Sequence, residues 1–120
     1  MSLRAILIVA ATCAASVALA ADRLPLQTGV FVRADVVCKG ASNADTLSYW
    51  GEDGGINDQQ DRCTIQTLER RGDVYRLGQI CEAIRFGGQF SRSTEVRVLG
   101  PARFEIENVE YRRCGDRVEF

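Results

Sequence analysis

Four cysteines, Cys38, Cys63, Cys81 and Cys114, constrain this chain more than any other feature. An even set of thiols in a short exported sequence reads as two disulfides, with three possible pairings. Four thiols can also hold zinc, but the spacings are wide, no C-x-x-C pair occurs and the chain has no histidine. No metal or cofactor is therefore expected. In a meander, bridges between strand ends close in sequence are the simplest, so Cys38–Cys63 with Cys81–Cys114 is the expected connectivity. Each such bridge would stabilise by about 3–4 kcal/mol through loop closure. That is a large share of the ~5–15 kcal/mol that holds a typical domain together.

A fifth cysteine, Cys13, falls in a segment of different character. Arg4 precedes the apolar run Ala5 to Ala15, and Ala18-Leu19-Ala20 offers a small-x-small cleavage site. These are the three parts of a secretory signal peptide, and the run is too short to span a bilayer. Thr12 is a poor residue before a lipidated cysteine, which argues against a lipid anchor at Cys13. The expected organisation is a signal peptide over residues 1–20 and one secreted β domain over 21–120, periplasmic or secreted, with no membrane insertion after cleavage.

The 100 residues from Ala21 carry 14 basic and 16 acidic side chains, a net charge of −2. The charges are interspersed, without the basic stripe that a nucleic-acid binder shows. A chain of this length buries roughly 60–70% of its unfolded surface, enough for one modest core.

Apolar residues recur with period two. Val30, Val32, Ala34 and Val36 lead to Cys38, and the alternation predicts a first strand over Gly29 to Cys38. Thr46 to Gly51 reads as a second strand, with Leu47 and Tyr49 on one face and Thr46, Ser48 and Trp50 on the other. Glu52 to Asp61 is the longest polar loop. Cys63 to Leu68 and Val74 to Cys81 follow, joined by the turn Arg70-Arg71-Gly72-Asp73. Ile84, Phe86 and Phe90 continue at even spacing, with Gly87-Gly88 as a bend or bulge. Thr94 to Leu99, Ala102 to Ile106 and Val109 to Cys114 are further strands, separated at Gly100-Pro101 and Glu107-Asn108. Turn signals every 8–12 residues predict an all-β fold, a small antiparallel meander closing as a barrel or sandwich and stapled by two disulfides.

Chemistry is sparse. Without histidine, Ser-His-Asp and Cys-His nucleophile pairs are excluded. Glu105, Glu107 and Glu110 are close enough for paired-carboxylate work, but they alternate with Phe104 and Ile106 as a solvated strand face does. No catalytic residue is expected, and the chain reads as a non-enzyme. The acidic loop has oxygen ligands but misses the EF-hand spacing. Arg71-Gly72-Asp73 matches an adhesion tripeptide and is first a hairpin turn. The candidate binding surface is Trp50, Glu52, Asp53, Asn57 and Asp58, an aromatic anchor at the mouth of a long loop. Trp50 as a cap on the core is the competing placement.

Leu24-Pro25-Leu26, Gly29-Val30-Phe31-Val32, Cys38 followed by Ala41-Ser42-Asn43-Ala44, and Cys63, Tyr75 and Cys81 resemble an uncharacterised group of small secreted or periplasmic proteobacterial proteins. The resemblance covers Leu24 to Cys81 and implies a compartment and a fold, with no active site attached. In size, export and disulfide use the chain is also similar to small β-barrel lysozyme inhibitors of the periplasm, whose motif residues it does not carry. The expectation is a non-enzymatic binding module that meets an envelope or extracellular protein, in one form as an inhibitor of an envelope-directed hydrolase. The alternative is a structural or stress-related envelope protein without a discrete ligand.

Overall fold

The hairpin turn at Gly72-Asp73 starts the part of the fold that local chemistry dictates. Gly72 takes the left-handed conformation the tight turn needs, φ +65°. In the computed structural model, which describes residues 19–20, 23–51 and 54–117, this turn joins two long strands. The strands are β1 (Leu19–Ala20), β2 (Gly29–Arg33), β3 (Thr46–Tyr49), β4 (Ile56–Asn57) and β5 (Asp61–Arg71). They continue as β6 (Val74–Ala83), β7 (Gln89–Gly100), β8 (Arg103–Ile106) and β9 (Val109–Gly115). From β5 to β9 every strand pairs with the next, antiparallel. The tight turn before β9 places Glu107 and Asn108 at φ +50° and +65°, the primed geometry that hairpin twist favours.

The last strand then returns to the first part of the chain. β9 pairs with β2, β2 with β3 and β3 with β4, giving one sheet in the order β1-β5-β6-β7-β8-β9-β2-β3-β4. The sheet is all-β and antiparallel but is not closed into a barrel, nor split into a sandwich, as the turn spacing had suggested. Its two sides meet at one bridge, Gly54 to Thr64, beside the bond from Gly55 N–H to the Cys63 carbonyl. Two-residue β4 is too short to form a ladder along eleven-residue β5. Side-chain amides complete the seam instead: Asn57 Oδ1 accepts Cys63 N–H at 2.6 Å, and Gln79 Oε1 accepts Ile56 N–H at 3.0 Å.

The concave face carries the core. Phe31, Tyr49, Tyr75, Leu77, Val96 and Phe104 are buried there, with Leu24 and Leu26 packed against them from the segment before β2. Phe104 packs between Phe31 and Tyr111, at centroid distances of 4.9 and 5.3 Å. The first strand is shorter than its alternation predicts. It ends at Arg33, where Val36 N–H closes a turn onto the Arg33 carbonyl, and Val37 lies exposed. Both faces of β2 and β3 are covered. Phe31 stands opposite Leu47 on the core side, while Val30 and Val32 face Ser48 and Thr46 on the other. The side of β3 read as polar is therefore buried, because small hydroxyl side chains fit under cover as readily as apolar ones.

The disulfides are Cys38–Cys114 and Cys63–Cys81, which replaces the expected pairing. Cys38 follows β2 and Cys114 lies in β9, so the return of β9 to β2 brings them together at a Cα separation of 5.8 Å. Cys63 and Cys81 are direct cross-strand partners in the β5–β6 hairpin.

Burial lifts the Tyr49 hydroxyl above its ordinary 10.0, against the lowering effects of Arg23 and a Leu24 backbone bond. Burial likewise lifts Tyr111, where Arg33 opposes the shift and Asp45 and Glu107 add to it. The unfolded chain loses these protons first as pH rises, so the native state is progressively disfavoured. The urea midpoint should hold steady up to about pH 10 and fall above it, through the raised folded values, in a series of melts from roughly pH 8 to pH 11.

Candidate functional site

Trp50 follows directly on β3 and is 51% exposed. It points to solvent because the strand has ended, rather than because it shares a solvated face with Thr46 and Ser48. The chain turns at once: Gly51 has φ +82°, and Gly54 N–H returns to the Gly51 carbonyl at 2.8 Å. Trp50 thereby stands on the rim of a groove of about 410 Å³, with Asn57, Asp58, Arg62 and Thr64 along the β4–β5 side and Ile84 opposite. Three of the five expected surface residues, Trp50, Asn57 and Asp58, thus line one groove. Glu52 and Asp53 lie outside the described residues, as do residues 1–18 of the expected signal peptide.

The groove floor is fixed by bonds that consume much of its polar capacity. Asp58 Oδ1 accepts the N–H groups of Gln60 and Asp61, at 2.8 and 2.9 Å, which folds the β4–β5 connection. Arg92 donates to Asp61 Oδ2 at 2.7 Å, lies 4.0 Å from Asp58 Oδ2 and covers the Phe90 ring at 5.2 Å. Gln79 is 2% exposed and bonded at both ends of its amide, accepting from Ile56 and donating to Thr94 Oγ1. Gly55 lies so close to the Gln79 amide that any β-carbon there would collide with Oε1. This buried amide sets the position of β4, and hence of Asn57 and Asp58. Gln79→Leu should strand the Ile56 N–H and cost about 1–3 kcal/mol in a denaturant melt, with faster hydrogen exchange at Ile56.

Sequence reading missed the other wall. Ile84 and Phe86 do not continue a strand; β6 ends at Ala83, and Gly87 and Gly88, at φ +69° and +86°, close a hairpin tip that β7 leaves at Gln89. The tip is anchored by Ile84 N–H on the Gln60 carbonyl at 3.0 Å. Ile84 is 57% and Phe86 86% exposed. An apolar residue at alternate positions looks the same in a strand and in a solvent-facing turn, so spacing alone did not mark them.

Of the three carboxylates considered for catalysis, Glu105 and Glu110 are engaged with arginines, while Glu107 has no ion-pair partner among the described residues. Glu105 and Glu110 are cross-strand partners, and each has its own cation: Arg97 at 3.7 Å and Arg103 at 2.8 Å. Among the described residues no three His, Cys, Asp or Glu side chains converge as a metal-holding group.

Fold and groove together define a small, twice-bridged β domain with an open antiparallel sheet, and two disulfides fit an oxidising, extracytoplasmic environment. No family model, curated protein or solved structure matches the chain.

Proposed function

We propose that this protein is a non-enzymatic binding module, exported to the periplasm or secreted, that engages an envelope or extracellular protein through the Trp50 groove and the adjoining hairpin tip. The observation that carries this reading is the exposure of Trp50 and Ile84 on one groove, with Phe86 exposed on the same hairpin tip as Ile84. Exposed aromatic and aliphatic side chains beside polar groups are the anchors that binding hot spots use. The surface is held rigid beneath by Gln79, by Asp58 and by the Cys63–Cys81 bridge, so little order has to be gained on binding.

The test uses immobilised mature domain as bait in periplasmic extract, wild type beside Trp50→Ala. Trp50→Ala should leave the unfolding midpoint nearly unchanged and weaken the captured partner by about 2 kcal/mol or more. Lysozyme inhibition, measured in parallel, tests the inhibitor form of the reading. Absence of any saturable partner would support the structural envelope role instead.

A further inference from the structure

A second and larger depression, about 620 Å³, lies between β3–β4 and β7–β9; it shares Asp58 with the groove but is not lined by Trp50. Its apolar lining is Leu47, Ile56, Ile106 and the ring of Tyr111. Leu47, Ile106 and Tyr111 pack against the core yet remain only partly buried, so the depression continues the core to the surface. Tyr111 is a rigid wall, because its ring stacks on Phe104 at an interplanar angle of 17°. Cavities of this size, apolar with a few convergent polar groups, suit small ligands.

The charges select among such ligands. Asp58, Glu95 and Glu107 line the depression with a single cation, Arg92. Arg92 is already held by Asp61, which does not line it. Glu95 is paired with Arg76 at 2.8 Å. Arg33, opposite Tyr111 in the sheet, faces both Asp35 and Asp45. With every one of these partners counted, acidic groups outnumber basic ones, so the depression favours positive charge. We propose that it binds a small amphipathic cation, its apolar body on Leu47, Ile56, Ile106 and Tyr111 and its ammonium group facing the acidic rim. Glu107, in the turn before β9, has no ion-pair partner among the described residues and supplies the main charge contact.

The probes are decyltrimethylammonium, decyl sulfate and decyl maltoside, each titrated below its micelle concentration into the mature protein. Calorimetry gives the affinities and methyl NMR shifts give the location. The cation should bind saturably, about tenfold more tightly than the anion, with shifts centred on Leu47, Ile56 and Ile106. Glu107→Gln, an exposed turn substitution, should weaken the cation about threefold to tenfold and leave the neutral probe unchanged. Trp50→Ala should alter neither affinity, which separates this site from the groove. No binding of any probe, equal affinity for cation and anion, or shifts confined to Ile84 and the hairpin tip would each overturn the proposal.

Discussion

Phe104→Ala should cost about 3–5 kcal/mol, the usual loss when a buried aromatic is truncated and the space it filled stays partly empty. Phe104 has no exposed surface, and it separates Phe31 of β2 from Tyr111 of β9 while itself standing on β8. Three strands therefore lose their common packing partner at once. Phe104→Leu keeps most of the volume and should cost less than half as much. Chemical denaturation of both variants checks this, and a loss under about 1 kcal/mol for the alanine would mean that the aromatic column is not the centre of the core.

Removing the Cys38–Cys114 bridge, as Cys38→Ala with Cys114→Ala, should cost about 4–5 kcal/mol in the chain-entropy account. The bridge closes a loop of 76 residues, against 18 for Cys63–Cys81, and loop-closure entropy grows with length. Neither Cys38 nor Cys114 is fully buried, so lost packing adds little and the measured value reports the cross-link itself. Digestion without reduction should release one peptide pair joining Cys38 to Cys114 and another joining Cys63 to Cys81. A Cys38–Cys63 linkage in the native protein would contradict the fold, because β9 could no longer be tied to the end of β2.

Three of the four turns in the β5–β9 meander are legible because their determinants are local, whereas the β6–β7 turn at Gly87-Gly88 reads as a bend within one strand. Gly72-Asp73, Gly100-Pro101 and Glu107-Asn108 each mark a turn by backbone chemistry that acts over a few residues. The pairing of β9 with β2 left no such mark, and the thiol assignment failed with it. One clue was nevertheless present. Cys63 and Cys81 lie equally far from Gly72, nine residues on either side. A regular hairpin in the register Arg71↔Val74 would set Cys63 opposite Glu82. The irregularity between Ile65 and Thr67 shifts the ladder by one and delivers Cys81. Symmetry about the turn was visible; the bulge that makes it useful was not. At the groove, residue type and loop position mark Trp50, Asn57 and Asp58. Gln79 carries no such mark, since a buried amide has no pattern of its own. β4 reads as loop because two residues, Ile56 and Asn57, cannot show a period.

The return of β9 to β2 also sets the order in which the molecule can be assembled. In a chain delivered N-terminus first into an oxidising compartment, Cys38 arrives early and its partner Cys114 arrives last. Cys63 and then Cys81 become available in between, and each is a thiol that Cys38 can capture prematurely. β2, whose two faces are both destined for burial, must wait through the delivery of all the strands that follow it. In such a chain an early bond from Cys38 to Cys63 or Cys81 would be a wrong isomer, which late oxidation or thiol exchange that reopens Cys38 would resolve.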